Sequence, residues 1–122
     1  ADEVAMRESF DQAIVNYVLH RVDRAGLVPT IAAIDRLVAP GGWLIIGDFY
    51  PQAPRRVAYH HLPGAGVYTY KQDYSEAFAA TCLYERVACI TAHHATRRCD
   101  ARAGDDDRIA TWLLRKAAEP PA

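Results

Sequence analysis

The chain has 122 residues, enough for one domain or part of one and too few for a second core. Its 14 Lys and Arg stand against 15 Asp and Glu, a net charge of -1, which argues against a nucleic-acid footprint or attraction to an anionic membrane and favours a small-molecule or protein partner. Three cysteines (Cys82, Cys89, Cys99) without Cys-x-x-Cys spacing argue against a disulfide framework, and no apolar run approaches the ~20 residues of a membrane span or forms a signal-peptide core, so the expected compartment is the cytoplasm.

Residues 1–9 are a polar lead-in. Phe10 opens a run to His20 whose centre is β-branched and apolar, the composition of a buried strand. Asp23 is placed to cap a following helix, in which Pro29 is tolerable only within the first turn. Leu27, Ile31, Ile34 and Val38 then recur at spacings of four, three and four, an apolar stripe with Asp35 and Arg36 facing away. That helix is expected to end at Ala39-Pro40-Gly41-Gly42: Pro40 cannot continue it, and the two glycines accept the positive φ of a sharp exit. Residues 43–46 (Trp-Leu-Ile-Ile) contain no polar side chain, which predicts a strand covered on both faces, and the run ends on Asp48. Open α/β sheets bind their ligands at the carboxyl ends of such strands. Strand, helix and strand within about 40 residues predict a parallel βαβ unit.

Between residues 50 and 74 no period persists, and prolines, glycines, His60-His61 and tyrosines predict a long ordered loop of the kind that serves as a lid or binding segment. Asp73-Tyr74-Ser75-Glu76 has capping-box spacing, so a short helix is expected over residues 74–82 with Phe78 inward. Residues 84–94 and 108–116 read as strands joined by a solvated hairpin loop over residues 97–107, and residues 118–122 as a tail.

In order, strand, helix, Pro-Gly-Gly, strand ending in Asp-Phe, long loop, helix and terminal hairpin resemble the C-terminal half of class I S-adenosylmethionine-dependent methyltransferases. The residues that carry the resemblance are Ser9-Phe10-Asp11 leading into Ile14-Val15, Val18-Leu19-His20, the run from Ile34 to Gly42, and Leu44-Ile45-Ile46-Gly47-Asp48-Phe49. The resemblance spans residues 10–117 and implies an α/β, partial Rossmann-like sheet. Its strand order would be the family's fourth, fifth, seventh and sixth, with flanking helices and a C-terminal antiparallel hairpin. The family's Gly-rich turn and its ribose-holding acidic residue precede the fourth strand and have no counterpart here; Gly64-Ala65-Gly66 lies in the long loop. The resemblance therefore implies a fragment with one wall of the cofactor pocket, whose parent transfers a methyl group from S-adenosylmethionine to a small-molecule acceptor. The alternative is a non-catalytic interaction or regulatory module of the same fold.

By the same resemblance Asn16, Tyr17 and His20 line the cofactor, unless Tyr17 only packs and His20 only bonds to backbone. Asp48 can orient or deprotonate the acceptor, or anchor a loop. His60, His61 and Tyr70 sit in the segment that shapes the acceptor pocket in the family, where aromatic walls suit a small organic molecule; the bland reading is cover for the sheet. No metal site is expected, because adjacent His93 and His94 on a strand point to opposite faces and cannot readily chelate one ion. Cutting the family's sheet before its fourth strand would expose residues 13–19 as an edge, with Ile14 and Val18 uncovered, which predicts a homodimer or association with the missing N-terminal half.

Overall fold

A computed structural model describes residues 9–59, 61–62, 64–96, 98–99 and 108–119. The elements are β1 (Phe10–Asn16), a 3-10 turn (Leu19–Arg21), α1 (Arg24–Leu37), β2 (Val38–Phe49), β3 (Arg55–Ala58), β4 (Tyr68–Lys71), α2 (Tyr74–Ala79), β5 (Tyr84–His93) and β6 (Arg108–Lys116). Four strands form one sheet in the order β1-β2-β6-β5, the order implied by the family resemblance. β1 is parallel to β2, and β6 is antiparallel to both of its neighbours, so β5 runs the same way as β1 and β2. The carboxyl ends of β1, β2 and β5, at Asn16, Phe49 and His93, therefore meet one edge of the sheet.

Both helices lie on one face. Ile34 of α1 and Tyr74 and Phe78 of α2 join Leu19, Val38, Leu44, Ile46, Tyr84 and Leu114 in the core, with Ala13, Val15, Leu27, Ile31 and Trp112 packed around it. Each such large side chain contributes roughly 1.5–3 kcal/mol by leaving water. The expectation that residues 43–46 are covered on both faces is corrected: Leu44 and Ile46 are fully buried, whereas Trp43 and Ile45 point to the second face and are half-buried. On that face Ile14 is 63% exposed and Ile90 62% exposed. A continuous apolar run reported burial but not how many layers supply it. No helix among the described residues is long and apolar enough to cross a membrane.

Four local expectations also change. First, the Pro-Gly-Gly segment is not a separate turn between helix and strand; Val38 already pairs with Phe10 and Trp43 with Gln12, so residues 39–42 bulge opposite the single residue Asp11. Gly41 takes φ +77, while Gly42 is needed for space, since a Cβ there would lie 2.8 Å from the Ala39 carbonyl oxygen and 3.0 Å from that of Asp11. Second, β1 ends at Asn16 and α1 begins at Arg24, which puts Pro29 beyond the first turn; Pro29 is exposed, and Thr30 Oγ1 donates to the Gly26 carbonyl at 2.7 Å beside it. Asp23 stands at the N-cap without a side-chain capping bond. Third, the 50–74 segment is not wholly loop: β3 and β4 pair in antiparallel register from Arg55↔Lys71 to Ala58↔Tyr68. Arg56 stacks over Tyr68 at 4.1 Å, a cross-strand contact that offsets the hairpin's small apolar content. Fourth, α2 stops at Ala79; Asp73 caps it by accepting from the Ser75 amide at 3.1 Å and the Ser75 hydroxyl at 2.6 Å. Of the expected 97–107 connection only residues 98 and 99 lie among the described residues, and the first eight residues, His60 and residues 120–122 lie outside them.

Candidate active site at the carboxyl edge of the sheet

β1 does not run on to His20 because the chain turns sharply after Asn16. Tyr17 adopts φ +56, the left-handed region that non-glycine residues rarely enter, and its amide donates to the Gly47 carbonyl at 2.7 Å. The exposed Asn16 side chain lies across β2, where a Cβ on Gly47 would collide with its amide oxygen. The bend carries His20 under the end of β2, where it is buried against Asp48.

Asp48 is tied from three directions. The His20 backbone amide donates to Oδ2 at 3.2 Å, His20 Nδ1 lies 3.0 Å from Oδ1, and the Phe49 amide donates to Oδ1 at 2.8 Å. An ionised carboxylate only accepts, so the proton of the neutral imidazole sits on Nδ1. Nε2 then carries the free lone pair; it makes no hydrogen bond among the described residues and is not sealed from solvent. A buried carboxylate that fixes the tautomer of an imidazole whose other nitrogen stays open is the arrangement of a general base.

Aromatic rings surround this pair. Phe49 lies 5.1 Å edge-on from the His20 ring, His94 lies 5.2 Å from Phe49, and Tyr17 lies 6.1–6.4 Å from all three. The β3–β4 hairpin borders the group, with Lys71 Nζ 4.3 Å above the Phe49 ring. Two arginines strap the hairpin to the turn after β1. Arg24 stacks on Tyr70 at 4.2 Å and donates to Gln72 Oε1 at 2.6 Å, the Tyr74 hydroxyl at 2.9 Å and the Val22 carbonyl at 3.0 Å; Arg21 lies 4.9 Å over Tyr59. Burial pushes the Tyr74 hydroxyl up to about 12, with the Arg24 guanidinium pulling the other way.

Of the residues singled out from sequence, Asp48, His20 and Tyr17 come together at this edge, with Asn16 beside them. Tyr70 and His61 are carried by the hairpin segment, Tyr70 beneath Arg24 and His61 against Tyr59 at 5.2 Å. His60 lies outside the described residues. His93 turns away to accept from the Ala95 and Thr96 amides at 3.2 and 3.3 Å, and among the described residues no three metal-ligating side chains gather. Phe49, His94, Lys71 and Arg24 were missed as site residues. A signal for His94 was available, because the expected strand order already brings the end of its strand to the edge that holds Asp48.

No family model matches the chain, and no curated protein matches it. Solved structures do. An S-adenosylmethionine-dependent methyltransferase from Methanosarcina mazei is 15% identical with a TM-score of 0.64, over 91% of this chain and 61% of that one. The 1,6-didemethyltoxoflavin-N1-methyltransferase of Burkholderia thailandensis, solved with 1,6-didemethyltoxoflavin and S-adenosylhomocysteine, is 19% identical with a TM-score of 0.63, over 88% and 44%. The N-methyltransferase NodS of Bradyrhizobium japonicum, solved with S-adenosylhomocysteine, is 18% identical with a TM-score of 0.53, over 89% and 47%. The chain thus carries part of the Rossmann-like fold of these enzymes and spans 44–61% of their length.

Proposed function

We propose that the chain forms the acceptor side and one cofactor wall of an S-adenosylmethionine-dependent methyltransferase acting on a small molecule. The observation that carries this reading is the buried His20–Asp48 pair, with Nε2 open, at the ligand-binding edge of a sheet shared with methyltransferases. The exposed Asn16 amide and the half-buried Tyr17 ring suit one side of a nucleoside-bearing cofactor; the chain has no Gly-rich turn after a strand to supply the other side. When bound, S-adenosylmethionine supplies an electrophilic methyl group whose bond to sulfur breaks with the electron pair left on sulfur.

The residues of this chain hold the acceptor and accept its proton. Asp48 keeps His20 in the Nδ1–H tautomer and stabilises the imidazolium formed as Nε2 takes the proton from the acceptor hydroxyl or amine. Phe49 and His94 flank the acceptor with rings that exclude water, and Tyr70 and His61 belong to the hairpin segment on its far side. In a protein holding the complete fold, His20→Ala is expected to lower kcat by about 10²–10⁴ with KM little changed. Asp48→Asn, which spoils the tautomer, should follow it, and unchanged turnover in both would overturn the reading. The isolated chain should show no tight binding of S-adenosylmethionine in calorimetry; micromolar binding would show the pocket to be misassigned.

A second property follows from β1. Among the described residues it is an edge strand, and Phe10 and Ile14 stand exposed along it, with exposed Val18 just beyond its end. With no proline or lysine in its run to discourage pairing, β1 is the segment through which the chain associates, either with the half that completes the sheet or with a second copy about a two-fold axis. A monomer by light scattering at high concentration, with freely exchanging amides on the open side of β1, at Ile14 and Asn16, would exclude the homodimer.

A further inference from the structure

At the end of the sheet opposite the candidate site, a cavity of about 290 Å³ opens between the start of β5 and the end of β6. Leu83 and Ala117 supply apolar wall and are joined by a 2.7 Å hydrogen bond from the Ala117 amide to the Leu83 carbonyl. Cys82 forms part of the rim; it enters the left-handed region at φ +62, which non-glycine residues rarely adopt, as the chain passes from α2 into β5. Three charged side chains line the same space. Lys116 is spent, because its Nζ pairs with Asp35 at 2.9 Å and donates to the Asp35 and Val38 carbonyls. Glu85 and Arg115 are different. They stand directly opposite each other on β5 and β6, where opposite charges ordinarily join. The Arg115 guanidinium lies instead 4.6 Å over the ring of Trp43, its cross-strand neighbour on β2. Among the described residues neither the Glu85 nor the Arg115 side chain makes a hydrogen bond or an ion pair, so the cavity holds one acid and one base, each without a partner.

We infer that this cavity binds a free α-amino acid with an aliphatic side chain, its ammonium on Glu85, its carboxylate on Arg115 and its side chain against Leu83 and Ala117. The inference goes beyond the methyl-transfer reading and does not rest on it, because it uses the other end of the sheet and none of that site's residues. Charge selects the class. An anion that reaches Arg115 meets the Glu85 carboxylate, a cation that reaches Glu85 meets the Arg115 guanidinium, and a molecule with both charges on one carbon satisfies both at once. Stacking on Trp43 already orders the guanidinium, which reduces what binding costs in side-chain freedom. Size agrees, since the cavity lies at the lower limit of pockets that take small organic ligands, which suits a molecule of amino-acid size.

The test uses the 122-residue chain and three matched probes, followed by amide chemical shifts: leucine, its decarboxylated analogue 3-methylbutylamine and its deaminated analogue 4-methylpentanoate. Leucine should bind roughly fivefold more tightly than either analogue, the factor that one exposed charge contact supplies, with shifts at Tyr84, Glu85 and Arg115. Glu85→Gln should equalise leucine with 4-methylpentanoate, Arg115→Gln should equalise it with 3-methylbutylamine, and Arg115→Lys should keep the preference. Both side chains are exposed, so these changes leave the core intact. Bound leucine should also slow alkylation of Cys82 and not of Cys99, beyond the other end of β5. Equal affinities for the three probes, a preference that survives both Gln variants, or no saturable shift with leucine would overturn the assignment.

Discussion

Two carboxylate networks stand at opposite ends of the sheet, one buried at Asp48 and one half-buried at Asp35, and the contrast between them separates a site from a fastening. At the far end from the candidate site, Asp35 accepts from the Tyr84 hydroxyl at 2.7 Å and pairs with Lys116 Nζ at 2.9 Å, and the same ammonium donates to the Asp35 and Val38 carbonyls at 2.9 and 3.0 Å. Those carbonyls are at the end of α1, where a helix leaves acceptors unsatisfied, so Lys116 of β6 fastens the helix exit to the sheet. Every partner there is spent on another partner. In the His20–Asp48 pair the carboxylate is equally well held, but the second imidazole nitrogen, Nε2, makes no hydrogen bond among the described residues. A network that closes on itself supports the fold; one that leaves an oriented lone pair at a ligand-binding edge can do chemistry.

The sharpest way to break the comparison is to exchange consequences. Asp48→Ala should cost about 10²-fold or more in turnover of the complete enzyme, whereas Asp35→Ala should leave turnover unchanged and destabilise the chain by about 1–3 kcal/mol, because it leaves the buried Tyr84 hydroxyl without its acceptor. Chemical denaturation of the isolated chain measures the second effect. Tyr84→Phe made on top of Asp35→Ala should cost less than Tyr84→Phe alone, and additive losses would mean that the two do not share a network.

Acid and alkali sharpen it further. Burial raises the Asp35 carboxyl, but the hydrogen bonds from Tyr84 and Lys116 outweigh it and hold the group below the ordinary carboxylate range. The folded state thus favours the ionised form. Its contribution is present at neutral pH and is lost as pH falls through the carboxylate range, and Asp35→Asn should flatten that part of a stability-against-pH curve. Tyr74 behaves in the opposite sense: burial first, partly countered by Arg24, keeps its hydroxyl protonated up to about 12, so its contribution is intact below pH ~10 and fades as pH rises towards 12. Tyr74→Phe should reduce that alkaline loss. The smallest effect expected is at α2, where Asp73→Ala removes the cap on the Ser75 amide and should cost about 0.5–2 kcal/mol, without altering the pH behaviour of Asp35.

Most of the sheet was legible because its signals are local. Apolar period, helix punctuation and the Asp-Phe end of β2 each depend on neighbours a few residues away, and the topological rules then leave few ways to assemble them. The β3–β4 hairpin was not legible, since its strands hold mainly polar and aromatic residues and are stabilised by Arg56 on Tyr68 and by the Arg21 and Arg24 straps, contacts that no periodicity announces. The site divided in the same way. Asp48 and His20 were both marked, but in separate roles, as an acid–base group and as cofactor lining.

By itself, then, the order of residues determined that a parallel βαβ unit ends on a carboxylate, because backbone preference and apolar spacing are properties of the chain. Only the tertiary structure decided that His20 belongs to that carboxylate. The two are 28 positions apart, and what joins them is the left-handed bend at Tyr17, held by the Gly47 carbonyl of the neighbouring strand. The same long-range assembly brought His94 and Lys71 to Phe49 from the ends of β5 and β4. A site built from four strand ends has no local pattern, since its geometry is set by the pairing of strands distant in sequence.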